Sequence, residues 1–574
     1  MPIHMKKLSN KWRTINLSQR GVSWLLTLAL GIAVFLFWGV RYPFALTYQE
    51  QAQLFLFDCD YFVQRIADPG GFAIYVAEFL VQFDNLVMLG ALLMAFLFML
   101  VQRLTWHLMQ QKAYYALSFV PAVMLWCAMG DENVMMTYAV ALVMTMGAIL
   151  LLRRCQQLHK FVRYAIVIVA IPLLYWLIGP IVVLVAVCIL PLSVVWAVAV
   201  ILLSAHYLPY SMLRVVLGVG YYRSPELMPY LLIAIPVVVA VLYWTYQLIN
   251  NMKSTNVKEM LACVVVIGLA IVVIPLNYNA KTYEMMEYDY LVRVADWDGV
   301  IRKAEKKMPD TPTSVSVTNL ALAMNNQLGD RIFDFYQRGS EGLLPDIDNN
   351  YPVLQLLGEI YFRLGLVNTA QRLAFEAMEA IPNYNKSPRV MKRLAETNMI
   401  NGEYKVAEKY LKMLEKTVFY RPWAQRTLAM LGNEKAINEH PLYGTLRQYR
   451  LQEDFLFSDR ELDKICGHLV MHNPDNLVAI QYLLMIPLLD RDEQRFMQYF
   501  QYVQKKLRYN PRSCQEAVAL AYMQQYGKLP DGMVSPYVAQ QLNEFGRIYS
   551  SAGKDAPELR AFKNTAWYYL LVGE

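Results

Sequence analysis

Six carboxylates crowd one short stretch near the start of the chain. Glu50, Asp58, Asp60, Asp68, Glu78 and Asp84 lie within residues 41–85, against Arg41 and Arg65. Glu50, Leu54 and Asp58 follow at i+4 spacing. On a regular helix over 47–66 this puts both carboxylates on one face, about 12 Å apart. Asp58 and Asp60 of the "DCD" triplet point apart on such a helix, and share an ion only where it ends or bends. A second helix over 72–84, after the turn Asp68-Pro69-Gly70-Gly71, carries Glu78 and Gln82 on one face. A tight turn further on adds Asp131 and Glu132. One such carboxylate can take a proton from an acceptor hydroxyl. A group of them can hold Mg²⁺ or Mn²⁺ through oxygen and neutralise a leaving phosphate. Glu50 and Asp58 are therefore the candidate catalytic groups, and Asp58, Asp60, Asp131 and Glu132 the candidate metal ligands. The competing reading of all these acids is a set of solvated loop charges that orient membrane spans.

The surrounding sequence is that of a membrane protein. The chain of 574 residues is 56% hydrophobic and 17% charged, with net charge +7; a soluble domain averages about 25% charged residues. Residues 1–278 hold 17 Lys+Arg and 10 Asp+Glu, so the whole excess lies in the apolar half, while residues 279–574 are neutral. A basic charge spread over apolar segments is no nucleic-acid footprint. The apolar runs fall near 22–40, 86–102, 113–130, 133–152, 164–178, 181–204, 230–248 and 259–276. Segment 207–222, with Pro209 and Arg214, is either a ninth span or a re-entrant or interfacial helix. The expected layout is a cytoplasmic tail at 1–20, a membrane domain of eight or nine spans at 21–278 with an outer amphipathic loop at 41–85, and a soluble domain at 279–574. Lys6, Lys7, Lys11, Arg13 and Arg20 hold the N-terminus in the cytoplasm of a bacterial inner membrane. Nine spans leave the soluble domain in the periplasm and obey the charge rule better than eight.

The soluble half reads as helical repeats. In residues 351–382, Leu357, Gly358, Tyr361, Gly365, Ala370, Ala377 and Pro382 occupy tetratricopeptide-repeat positions, and Leu394, Ala395, Gly402, Ala407 and Leu414 repeat the pattern 37 residues on. Small residues at Gly358, Ala370 and Ala377 are expected where paired helices approach closely. The expected fold is thus all-α: membrane helices followed by a curved, tetratricopeptide-like solenoid with a concave groove. The histidines form no constellation, and no Gly-rich phosphate loop or nucleophile elbow appears.

A first span, a long acidic outer loop with interfacial helices, further acids on the second outer loop and a soluble C-terminal domain resemble the polytopic glycosyltransferases of the GT-C type. "YWLIGPIVVLVAVCILP" (175–191) is similar to the Gly-Pro hairpin of some members. The resemblance implies transfer of a sugar from a polyprenyl-phosphate-linked donor at the outer membrane face to a protein or glycan acceptor. Glu50 or Asp58 would be the acid, Asp131 and Glu132 the second-loop acids. Arg65 and Arg223 are candidates for the donor phosphate and Tyr222 for stacking on a sugar ring. The chain also looks like an uncharacterised family of bacterial envelope membrane proteins. The alternative function is a non-enzymatic membrane-anchored adaptor whose repeats recruit envelope partners.

Overall fold

The computed structural model describes residues 19–110, 114–224, 227–251, 256–347, 351–381, 386–452, 461–530 and 532–573. Residues 1–18 of the expected basic tail, and Pro382 of the repeat signature, lie outside these. Among the described residues every regular element is a helix, with two isolated bridges, Val134 with Tyr222 and Arg338 with Ser340. The chain forms two compact units: Met1–Leu46 with Phe62–Tyr278, and Thr47–Tyr61 with Asn279–Glu574.

The first unit begins with α1 (Gln19–Leu36), continued by a π turn at Phe37–Arg41, and the start of α2 (Pro43–Gln51). It resumes with α3 (Cys59–Ile66), α4 (Gly71–Val81), α5 (Val87–Leu108), α6 (Val120–Met129), α7 (Met136–Arg153) and α8 (Lys160–Ile178). There follow α9 (Val183–Ile189), α10 (Ser193–Tyr207), α11 (Met212–Leu217), α12 (Tyr230–Asn251) and α13 (Asn256–Leu276). Five helical segments are long and apolar enough to cross a membrane: Gly21–Arg41, Val87–Leu108, Met136–Arg153, Lys160–Ile178 and Val257–Leu276. This is fewer than the eight or nine expected. Helix is the form such runs must take, because hydrocarbon offers no partner to an open backbone group. The expected span at 181–204 is broken at Leu190-Pro191 into α9 and α10, since proline supplies no amide hydrogen. Segment 207–222 is no span: its only helix, α11, has 6 residues, and Arg214 sits there over the Tyr210 ring.

Contacts assign the two ends of this unit. At one end Arg103 stacks on Trp24, Arg153 donates to the Leu108 carbonyl and the Tyr115 amide donates to Glu259. At the other, the Tyr42 hydroxyl donates to Tyr278, Trp176 to the Ile66 carbonyl, Tyr210 to Asp68 and Tyr222 to Asp131. Arg154, Lys160, Arg163 and Lys258 follow or precede helices at the first end, while Asp68, Asp131 and Glu132 lie at the second.

The second unit contains α14 (Ala280–Arg293), α15 (Trp297–Lys306), α16 (Pro312–Met324), α17 (Leu328–Arg331), α18 (Tyr351–Leu364), α19 (Val367–Glu379), α20 (Pro388–Asn401), α21 (Tyr404–Glu415) and α22 (Arg421–Leu428). It ends with α23 (Glu434–Glu439), α24 (Tyr443–Tyr449), α25 (Leu462–His472), α26 (Leu477–Leu489), α27 (Glu493–Val503), α28 (Arg512–Tyr526), α29 (Pro536–Ala552) and α30 (Ala566–Leu571). Helices α18 to α22 pack each on the next. Gly365 and Gly402 turn the chain at φ +96° and +86° between the helices of the two successive pairs, a conformation glycine adopts without a Cβ penalty. Later helices also pack back on the earlier ones. Helix α24 packs on α18 and α20, α26 on α16, α17 and α18, and α28 on α17. Gln481 donates to the Ala323 carbonyl and Asn476 to that of Leu364, binding the return layer to the first. The small-residue expectation also divides. Ala370 and Ala377 are fully buried, but a Cβ on Gly358 would meet only Leu373, at 3.9 Å, so the helices are not tight there.

Candidate functional site

The acidic loop forms the second of its two expected helices, as α4 and the 3-10 turn Gln82–Asn85 that continues it, but not the first. Helix α2 ends at Gln51, the chain runs extended to Asp58, and α3 starts at Cys59. Glu50 and Asp58 therefore do not share a helix face, and Asp58 lies just outside the helix that carries Asp60.

What takes this stretch out of helix is burial within the repeat unit. The Leu54 side chain enters an apolar cluster of Met391, Ala395, Leu411, Leu414 and Ala424, and Gln51, Gln53 and Phe55 are buried too. The backbone is held as well: the Tyr351 hydroxyl donates to the Gln51 carbonyl at 3.0 Å, and the Phe57 amide donates to that of Lys416 at 2.9 Å. Arg389 Nη1 reaches Gln51 Oε1 at 2.9 Å and both Asp289 carboxylate oxygens at 2.7 and 2.8 Å. The Tyr420 hydroxyl donates to Glu50 Oε2 at 3.3 Å; burial first, and then the Glu50 charge, push that hydroxyl far above its ordinary range. Asp58 pairs with Lys416, whose hydrogen bond lowers the Asp58 carboxyl, while Asp60 is exposed on α3. Thus 47–61 is an internal strap of the repeat unit. Tyr351, Arg389, Lys416 and Tyr420 recognise it, and nothing in their local sequence announces that role.

Beside the strap's partners lies a buried ionic group. Glu359 accepts from Arg363 Nε at 2.7 Å and from Arg393. Burial alone would raise this carboxyl, but Arg393 and then Arg363 outweigh it and hold it at about 2. A depressed carboxylate stabilises the fold above its unfolded value of 4.5 and loses that contribution as pH falls toward about 2. Denaturation of the full chain followed by tryptophan fluorescence is therefore expected to show stability falling below about pH 4.5, with a shallower fall in Glu359→Gln.

The remaining candidates lie in the first unit, where two loops meet. The Arg223 amide donates to the Asn133 carbonyl at 2.8 Å and the Met135 amide to that of Tyr221 at 3.1 Å, pinning 221–223 along 133–135. This register brings the Tyr222 hydroxyl to Asp131 Oδ2 at 2.9 Å and Arg223 Nε to the Glu132 carbonyl at 3.3 Å. Asp131 Oδ1 accepts from the Asn133 amide at 2.9 Å. Burial raises the Glu132 carboxyl and Asp131 adds to it, against the opposing charge of Arg223. Asp131, Glu132, Tyr222 and Arg223 are thus brought together, and Arg65 goes elsewhere, to Glu78 at 2.9 Å. A carboxyl whose affinity for its proton is raised can exchange that proton, and the buried guanidinium beside it can face an anion.

Behind this cluster Tyr221 lies against Gly179 and Gly218 and donates to the Ile178 carbonyl. Gly179 has φ +88° and ψ −164°, a region open only to glycine, and Gly70 (φ +81°) donates to the Trp176 carbonyl at 2.8 Å. The Gly-Pro dipeptide signalled this turn; its partner Tyr221 carried no such mark. The four proposed metal ligands divide between the units, and among the described residues no three His, Cys, Asp or Glu side chains gather as a metal site.

Neither curated proteins nor solved structures give a match to this chain. A family described as "Family of unknown function (DUF6057)" matches residues 18–573, and the chain belongs to that family.

Proposed function

We propose that this is a multi-pass membrane protein that presents its helical-repeat unit at the outer face of the inner membrane as a binding module for envelope partners. The observation carrying this reading is the membership of Thr47–Tyr61 in the repeat unit. A folded unit is not divided across a bilayer, so the loop after the first span and the chain after Tyr278 share one side. The helices between agree. Taking the shorter apolar helices Tyr115–Met129 and Tyr230–Tyr246 as crossings beside the five long ones, and α9–α10 as a hairpin that enters and returns at the Asp131 end, makes the number of crossings odd. Arg103, Arg153, Arg154, Lys160 and Lys258 then lie on the cytoplasmic side with the N-terminus. The paired turns at Gly365 and Gly402 support a tetratricopeptide-like reading of α18–α21, a fold that works by surface recognition. Phe375 on α19 is 45% exposed and offers an apolar anchor. A photoreactive residue at Phe375 is expected to trap one discrete partner in native membranes, with Phe375→Asp abolishing the complex. Absence of any adduct, where a control membrane protein gives one, would count against a binding module.

A second reading is sugar transfer from a polyprenyl-phosphate-linked donor. The meeting of Asp131, Glu132, Tyr222 and Arg223 favours it, with Arg223 facing the departing phosphate and a carboxylate taking the acceptor proton. The buried engagement of Glu50 with Tyr420 and the surface ion pair of Asp58 with Lys416 support a structural duty for those two acids instead. Loss of an envelope glycan in Arg223→Gln, with the protein still folded, would favour transfer over binding alone.

A further inference from the structure

Helix α13 packs on α6 and the turn before it but is open on both flanks of that contact. None of the span Val257–Leu276 is buried inside the protein. A cleft of about 370 Å³ lies between it, α1 and α6 on one flank, and a second of about 220 Å³ lies on the other. The larger cleft is lined by Leu30, Ala33, Phe119, Trp126, Val266 and Ala270, with almost no polar surface. A dry void of this size forfeits dispersion contacts along its whole wall, and hydrocarbon is the filler a bilayer supplies.

The dimensions and the mouth select the occupant. On α1 the lining runs from Leu26 to Phe37, about 16 Å at 1.5 Å per residue. That is roughly half of a 30 Å hydrocarbon core, the reach of one chain from one leaflet. At the Phe37 end the ring lies 4.9 Å from Tyr42 and 6.4 Å from Tyr278, whose hydroxyls are hydrogen-bonded at 2.7 Å. Arg41 stacks over Tyr42 at 5.0 Å. Two tyrosines and a guanidinium just beyond the Phe37 end of an apolar slot match an anionic headgroup above an acyl chain.

We infer that the cleft between α1, α6 and α13 is a binding site for one acyl chain of an anionic phospholipid from the leaflet at the Tyr42–Tyr278 end. The chain replaces the missing protein contacts of α13, and the phosphate meets Arg41.

The full chain, carrying a photoreactive residue at Ala270, is reconstituted in vesicles of phosphatidylethanolamine with a minor share of phosphatidylglycerol. The same residue at Val272, which lines neither cleft and is 60% exposed, reports bulk lipid. After irradiation and delipidation, adducts are identified by mass. Ala270 is expected to give several-fold more phosphatidylglycerol adduct than Val272. Ala33→Trp, which fills the slot, should bring the yield at Ala270 to the Val272 level without changing thermal unfolding, and Arg41→Gln should remove the preference for the anionic lipid. Equal yields at the two positions would overturn the site. So would adducts from Ala270 to α1 or α6, which show the cleft closed. In native membranes an isoprenoid mass at Ala270 would overturn the phospholipid assignment in favour of a polyprenyl phosphate.

Discussion

Arg389→Met is expected to destabilise the repeat unit by about 3–5 kcal/mol and to release residues 47–61, because removing one partner of a buried ion pair leaves the other charge uncompensated. Arg389 bonds both Asp289 carboxylate oxygens and the Gln51 side chain, and Asp289 is 5% exposed. Loss of the guanidinium leaves that carboxylate buried among Tyr351 and its neighbours, where hydration cannot replace it. The same change frees the Gln51 side chain, so the strap loses an anchor at the point where it leaves α2. A cysteine at position 53, where Gln53 is 1% exposed, should be inert to maleimide in the parent and reactive in the Arg389→Met variant. Replacing both partners, Asp289→Leu with Arg389→Met, should recover most of the stability, since the pair can be exchanged for apolar groups without leaving a bare charge. A single variant as stable as the parent would show that the ion pair does not hold this segment.

Gly179→Ala should cost the first unit about 2–6 kcal/mol, by two additive causes. Its backbone lies in a region that only glycine occupies freely, worth about 1–3 kcal/mol of strain. A Cβ would also stand 2.7 Å from the Tyr221 hydroxyl. Displacing Tyr221 breaks its bond to the Ile178 carbonyl, at a further cost of about 1–3 kcal/mol for a buried group. The strand-like segment 221–223 moves with it, so Tyr222 and Arg223 should lose their places beside Asp131 and Glu132. Gly147 is the internal control: a Cβ there meets nothing within 4 Å, and Gly147→Ala should be neutral or stabilising by up to about 1 kcal/mol. Thermal unfolding of both variants in detergent distinguishes the two sites.

Much of the helical content is legible from local pattern, because an apolar run or a 3.6-residue period records what one helix buries. The glycines at 365 and 402 likewise mark turns by their own backbone need. What escapes such reading is tertiary capture. Residues 47–58 have helical periodicity, but Leu54 and Gln51 are claimed by side chains more than 290 positions away, and the helix ends at Gln51 to meet them. The return of α24 to α28 onto α16 to α20 is invisible for the same reason: an apolar face, or in α26 an apolar helix all round, does not say which layer it covers. The break of 181–204 was written in Pro191, yet the apolar composition on both sides concealed it. In the candidate site, Tyr222 and Arg223 are separated from Asp131 and Glu132 by some 90 residues, and it is the short backbone pairing of 133–135 with 221–223 that joins them.

The central claim is that the repeat unit, strap included, lies on the outer side of the membrane. The most direct measurement is a pair of reporter fusions after Glu574 to the full chain, one enzyme active only in the periplasm and one only in the cytoplasm. The account predicts activity of the periplasmic reporter alone. Activity of the cytoplasmic reporter alone would place the chain after Tyr278 on the opposite side from residues 47–61, and would contradict the single folded unit from which the reading starts.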